Sequence, residues 1–204
     1  MIRILFQYLR NVDEGSFGVA RVPFLSRLTA FVGALLLVFA AAPAAAAVEL
    51  TFWSKEAGSS FPHAFVTVHG TPDRGGARID EDYGFSAKKI SPAILMGRVK
   101  GVVLTDNTDS YIRASDRHFT VKLTDAQFDA LMATIARWQG LTQPSYDLAR
   151  RNCVHFVGEL AASIGMSAAP IKGLMKKPRA FLEAVTQANR AWLASRGATV
   201  HALR

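Results

Sequence analysis

The sequence predicts an α+β domain in which an antiparallel sheet packs against helices. Segments with the two-residue hydrophobic alternation of strands come first after residue 47, and segments with helical periodicity and capping signals come mostly later. Hydrophobic residues make up 50% of the 204 positions, which is enough to bury the core of one compact domain. We therefore expect a single domain and not a disordered chain.

Five segments carry the strand pattern. They are residues 48–54, 63–69, 77–85, 99–104 and 118–123. Residues 70–76 contain Pro72 and Asp73 among glycines, which predicts the turn of a hairpin between the second and third strands. Ser91 and Pro92 predict the start of a short helix that continues through Met96.

The first long helix is predicted from its start signal and its apolar face. Thr124 and Gln127 have the spacing of a capping box, and Gly140 ends the helical pattern. The residues expected to face the core are Phe128, Leu131, Ile135 and Trp138.

Two further helices are expected near the end of the chain. Asn152 is the expected cap of a helix that begins at Cys153 and ends at Gly165. Pro178 starts the last helix, which runs past Trp192 without interruption and ends before Gly197.

Residues 1–47 have the order of a secretory signal peptide. Arg21 and Arg27 precede an apolar run at residues 28–39, and an alanine-rich stretch follows it. Pro43 and the alanines favour cleavage, so we expect an exported domain of residues 48–204 in the periplasm or cell envelope. The alternative is an uncleaved membrane anchor formed by residues 28–48, which are numerous enough to span a bilayer.

The chain is basic and stays basic after processing. Removing residues 1–47 takes away four arginines and two acidic residues, so the formal charge falls from +8 to +6. This charge indicates an anionic envelope polymer or a membrane surface as a partner, or an ordinary solvated surface. We expect no nucleic-acid partner, because an exported protein rarely meets nucleic acid.

The single cysteine limits the chemistry. Cys153 alone forms neither an internal disulfide nor a cysteine-rich metal site, so we expect a free thiol with no metal or cofactor. In the first turn of a helix, the backbone amides and the helix dipole favour a thiolate, which is a nucleophile. The alternative is a small buried hydrophobic residue.

The position of each of the five histidines along its strand or helix decides whether its side chain can reach the Cys153 thiol. His155 is two residues from the cysteine on the same helix, so its side chain points elsewhere. His63 and His69 share a strand face but lie about 20 Å apart, so only one can meet the sulfur. We expect His118 to be a half-exposed strand residue and His201 to lie in a frayed tail. His63 is favoured, because it begins its strand after a turn.

Two motifs, SSFPHAFVTV at residues 59–68 and YDLARRNCVHFVGELA at residues 146–161, resemble a known family. They are similar to the circularly permuted papain-like thiol hydrolases, which include permuted NlpC-type peptidases, PPPDE peptidases and the lecithin:retinol acyltransferase group. The resemblance spans roughly residues 63–162. It implies a permuted papain-like fold, with Cys153 as nucleophile, His63 as base and His155 outside the catalytic pair.

The third catalytic residue is less defined by this resemblance. Family members often carry a polar residue on the strand after the histidine, and Asp80 and Asp82 share one face of that strand. Either carboxylate could orient His63, or both could be solvated hairpin charges. Tyr146 matches a family tyrosine for which we expect a packing role, and the main-chain amide of Cys153 is the expected oxyanion donor.

The resulting hypothesis is an exported cysteine hydrolase that cleaves amide bonds, with cell-wall peptides as the favoured substrates. An acyltransferase or lipid hydrolase of the same fold is the first alternative. A catalytically inactive envelope binding module is the second.

Overall fold

The computed structural model describes residues 48–56 and 61–203. The predicted signal peptide or anchor therefore lies outside the described residues. Within those two ranges, the helices are too short or too polar to cross a bilayer.

Six strands form one antiparallel sheet in the order β4-β3-β2-β1-β5-β6. Their bounds are β1 Val48–Lys55, β2 His63–Gly70, β3 Ile79–Ala87, β4 Gly101–Leu104, β5 Asp116–Leu123 and β6 Thr199–Val200. The predicted hairpin between β2 and β3 is confirmed, and so is the α+β class with its antiparallel sheet.

The helices follow or interrupt the strands. They are a 3₁₀ helix at Pro92–Leu95, α1 Asp109–Arg113, α2 Asp125–Gln139, α3 Cys153–Ser163, α4 Pro178–Ala188 and α5 Arg190–Ser195. The capping box of Thr124 and Gln127 is confirmed at the start of α2, and Gly140 is its C-cap. The prediction of one continuous last helix is wrong, because the chain breaks at Asn189. The Asn189 side chain exchanges hydrogen bonds of 2.8 Å with the backbone N–H and carbonyl of Ser167.

The core lies between the sheet and its helices. α3 packs on β2 and β3, and α4 packs on β1 and β5. Aromatic rings join the layers: Phe85 lies 4.7 Å from Trp138, and Trp138 lies 5.2 Å from Phe156, measured between ring centroids. This packing fixes the N-terminal end of α3 against the sheet.

Two expectations about the edge of the sheet formed by β5 and β6 are wrong. His118 is buried, not half-exposed, and its Nε2 lies 2.8 Å from the hydroxyl of Ser54. His201 does not lie in a frayed tail, because its backbone N–H donates to the His118 carbonyl at 2.9 Å and its ring contacts Thr120. The second difference arises from β6, a strand of two residues that the hydrophobic pattern does not predict, whereas His118 faces Ser54 and the charged residues Glu183 and Arg179 of α4.

Candidate active site

Cys153 is the first residue of α3, and Asn152 holds it in place as the predicted N-cap. The Oδ1 of Asn152 accepts a hydrogen bond from the backbone N–H of Val154 at 2.8 Å. Its Nδ2 donates to the carbonyls of Leu148 at 2.8 Å and Met175 at 2.7 Å. One buried amide therefore joins the helix to the loops on both sides of it, which fixes the position of the thiol.

His63 begins β2, and its ring leans along the strand. The ring is nearly parallel to that of Phe65, at 12° and 6.2 Å between centroids. It also lies over the neighbouring strand at Gly84, where a Cβ atom would be only 2.5 Å from the His63 Nε2. Glycine at this buried position leaves the space that the imidazole occupies.

The structure brings the predicted thiol and the predicted imidazole to one cavity. Cys153 and His63 both line a cavity of about 640 Å³. The backbone N–H of Ala64, the residue directly after His63, faces the Cys153 sulfur. The start of β2 and the N-terminal end of α3 therefore meet at the sulfur.

Burial makes both groups neutral in the resting site. It raises the pKa of Cys153 to about 11, although the backbone N–H groups of Ala64, Val154 and Cys153 itself act in the opposite direction. Burial also lowers the pKa of His63 to about 4. The expectation of a thiolate at neutral pH is thus wrong, because desolvation outweighs the helix N-terminus. A neutral imidazole can act as a general base toward a neutral thiol in the same cavity.

The two candidate carboxylates have different surroundings. Asp80 is exposed and its Oδ1 contacts the Nδ1 of His69, so the prediction that it orients His63 is wrong. The register pairs Asp80 with His69, six residues along β2 from His63. That separation is about 20 Å.

Asp82 is buried and lies on the same face of β3 as Gly84. It accepts a hydrogen bond from the Asn107 Nδ2 at 2.5 Å, and burial raises the pKa of its carboxyl group. Within the described residues, the His63 ring makes no hydrogen bond to another side chain. A role for Asp82 in orienting His63 stays a prediction.

His155 turns back toward the start of its own helix. Its Nδ1 lies 3.0 Å from the Asn152 Oδ1, in a capping box between the two residues. Its ring therefore completes the cap of α3, which is a structural role.

The sequence analysis missed three polar residues that line the cavity. They are Ser86, Asn107 and Tyr111. Continuing the β2–β3 register places Ser86 across from His63. Tyr111 belongs to α1, and its backbone N–H donates to the Thr108 hydroxyl at 3.2 Å. A threonine followed by an aspartate is a helix start signal, so this short helix could have been found.

Tyr146 also lines the cavity. Its ring lies 5.7 Å from that of Phe85, and its backbone exchanges hydrogen bonds with Val99 at 2.9 and 3.0 Å. Burial, and then the charge that Cys153 carries as a thiolate, raise the pKa of both Tyr146 and Tyr111. The two hydroxyl groups therefore stay protonated and are hydrogen-bond donors near the sulfur.

The rest of the cavity wall is mainly apolar. Its apolar residues are Phe61, Pro62, Ile90, Ile94, Leu104, Leu148, Val154 and Pro178. Lys176 is the charged residue among the described lining residues, and no carboxylate is among them. Such a wall favours an uncharged hydrocarbon group over a polar one.

Comparison with family models, curated proteins and solved structures finds no match for this chain. The family resemblance therefore rests on the two short motifs alone. The function has to be argued from the site, because a fold by itself does not define a reaction.

Proposed function

We propose that the protein is a cysteine hydrolase that cleaves acyl compounds, with Cys153 as nucleophile and His63 as base. The observation that carries the proposal is that both side chains line one cavity, with the Ala64 N–H facing the sulfur. The permuted papain-like arrangement is part of the proposal, since the strand with the histidine precedes the helix with the cysteine in the chain.

The reaction begins with a neutral pair. As the Cys153 sulfur attacks the acyl carbon, His63 takes the thiol proton and a tetrahedral oxyanion forms. His63 then gives the proton to the leaving group as its bond to carbon breaks, which leaves a thioester on Cys153. His63 next takes a proton from water, which attacks the thioester. The carboxylic acid leaves and the thiol is restored.

Two donors are proposed to stabilise the oxyanion, the backbone N–H of Cys153 and the hydroxyl of Tyr146. The Asn152 cap uses the N–H groups of Val154 and His155, while the N–H of Cys153 lies at the first position of the helix outside these bonds. The Tyr146 hydroxyl is the second donor, since it lines the cavity and stays protonated. Donors aimed at a developing negative charge act strongly in a site that excludes water.

The cavity wall supports an apolar acyl group as the substrate portion that it binds. Burial of a methylene group contributes about 0.8 kcal/mol, which is roughly a fourfold gain in kcat/KM for each carbon added to the acyl chain. We therefore expect kcat/KM to rise in steps with acyl length until the cavity of about 640 Å³ is full. Acyl transfer to an alcohol or amine would use the same thioester.

Hydrolysis of 4-nitrophenyl esters, from acetate to dodecanoate, tests this proposal. Cys153→Ala and His63→Ala should each abolish turnover. His69→Ala should keep it, because His69 is exposed at the other end of the same strand. Unchanged turnover by Cys153→Ala would overturn the proposal.

Cell-wall amide cleavage stays a prediction, and purified peptidoglycan tests it in parallel. Release of soluble fragments that depends on Cys153, together with ester rates that do not increase with chain length, would favour the cell-wall substrate over the apolar acyl group. An inactive binding module would turn over neither substrate.

A further inference from the structure

The mouth of the cavity is where the protein exposes its large hydrophobic side chains. Of five such residues in the described part of the chain, four lie here: Phe61, Ile90, Leu95 and Met96 are 61%, 54%, 74% and 89% exposed. Phe61 and Ile90 line the cavity itself, and Leu95 and Met96 directly follow Ile94, another lining residue. We call these four residues the apolar rim. The fifth, Val200, lies in β6 at the opposite edge of the sheet.

Lysines surround the apolar rim. They are Lys88, Lys89, Lys100, Lys176 and Lys177. The first two precede Ile90, the Lys88 N–H donates to the Lys100 carbonyl at 2.8 Å, and Lys176 lines the cavity. None of the salt bridges among the described residues uses these lysines.

Acidic residues are absent from the two segments that carry these lysines, residues 86–105 and 168–182. Glu56 and Glu183 lie in an adjoining groove with Lys176 and Lys177, and Glu183 is paired with Arg179. Two aspartates adjoin lining residues in the chain: Asp147 is paired with Arg98, and Asp106 precedes Asn107. The two segments that carry the lysines therefore make their side of the mouth both apolar and positively charged.

We propose that this mouth docks on the surface of an anionic lipid bilayer, a proposal that rests on the acyl hydrolase function above. Exposed apolar side chains bordered by lysines are the composition of a surface that inserts between lipid headgroups. A soluble anionic polymer would pair with the lysines but would leave the four apolar side chains in water. Docking would place the cavity directly over hydrocarbon chains, which its wall fits.

A fluorophore on the rim tests the docking. The full chain with Cys153→Ala and Leu95→Cys carries one thiol, which is labelled with an environment-sensitive nitrobenzoxadiazole dye. The matched control carries Cys153→Ala and Val200→Cys, because Val200 is also exposed but lies at the far edge. Vesicles of phosphatidylcholine with or without phosphatidylglycerol are added. Insertion of the rim should brighten and blue-shift the dye at position 95 with the anionic vesicles only, and should leave the dye at position 200 unchanged.

Equal responses at the two positions, or no response at position 95, would overturn the proposal. Attachment through residues 1–47 alone would not favour position 95. If dextran sulfate binds the protein while the position 95 dye stays unchanged on vesicles, polymer binding replaces docking. Since Cys153→Ala removes the nucleophile, the result does not depend on turnover, and docking and hydrolysis can fail separately.

Charge variants in the same Cys153→Ala chain give a second measurement. Lys88→Gln with Lys89→Gln should weaken binding to phosphatidylglycerol vesicles roughly thirtyfold, because each lysine near an anionic surface contributes about fivefold. The control pair, Lys122→Gln with Arg190→Gln, removes equal charge from exposed positions outside the rim and should change binding less than about twofold. Equal weakening by both pairs would indicate attraction by net charge alone and would contradict docking through the rim.

Discussion

Gly84→Ala tests whether the position of the His63 ring is required for turnover. The added Cβ would lie 2.5 Å from the His63 Nε2 and 3.2 Å from the Phe65 Cβ, whereas ordinary contacts begin near 3.4 Å. The ring must therefore retreat by about 0.9 Å. A misplacement of about 1 Å in a catalytic geometry costs roughly a hundredfold in rate, so we expect kcat/KM to fall about a hundredfold. Crowding against Phe65 should also lower the free energy of unfolding by about 1–3 kcal/mol.

The assay is ester hydrolysis at a temperature at which urea unfolding shows that the variant is folded. Gly140→Ala is the matched control, because its Cβ would meet nothing closer than the Ala136 carbonyl oxygen at 3.5 Å. That variant should keep its activity and its stability. If Gly84→Ala retains half of the wild-type kcat/KM while turnover still requires Cys153, the His63 ring is not the base and the reasoning is refuted.

Three further predictions follow from the same surroundings. Because burial raises the pKa of Cys153 to about 11, iodoacetamide should alkylate it about a hundredfold more slowly at pH 7 than a thiol with a pKa of 9.0. The alkylation rate should keep rising above pH 9, and a plateau below pH 8 would contradict this prediction. If the Tyr146 hydroxyl stabilises the oxyanion, Tyr146→Phe should lower kcat about a hundredfold with little change in KM. If Tyr146→Phe and Tyr111→Phe instead change stability equally and leave kcat unchanged, Tyr146 has only a packing role. Burial lowers the pKa of His118 from 6.5 to about 4, so its contribution to stability is full above pH 6.5 and is lost as the pH falls toward 4. Urea unfolding should show that His118→Gln removes about 2–3 kcal/mol of the stability lost between pH 7.5 and 4.5, and an unchanged pH dependence would count against a buried neutral imidazole.

Local signals made the helix starts at the site predictable. Asn152 caps α3 through residues two and three positions away, and Thr124 caps α2 through a residue three positions away. These interactions depend only on sequence separation, so spacing reveals them. The same holds for the placement of Cys153 at the first helical position and of His63 at the start of a strand.

The partners of the carboxylates depend on strand register, which spacing does not reveal. Asp80 and Asp82 share a face in the sequence pattern and in the structure, but the register decides which residue of β2 each of them faces. The register sets Asp80 beside His69 and Asp82 beside Thr67. Only the hydrogen bonds of the assembled sheet fix this choice.

The ionisation of the thiol could not be predicted for a related reason. The helix N-terminus is visible in the sequence, but the burial that raises the pKa of Cys153 depends on elements far apart in the chain. The cavity wall combines residues from three stretches of the chain, 61–63, 86–111 and 146–178. The cavity excludes water, and the apolar rim beside it is exposed, only after these segments have come together in the fold.

The neutral resting pair and the apolar wall have one physical cause. A cavity that excludes water makes a thiolate and an imidazolium expensive, so the pKa of Cys153 rises and that of His63 falls. The same exclusion of water favours a hydrocarbon chain in the cavity. In the proposed reaction, charge therefore develops only when the sulfur attacks a bound acyl group. The N–H groups at the start of α3 then stabilise the negative charge that develops during the attack, where they lower the barrier, because the resting thiol carries no charge for them to stabilise in the ground state.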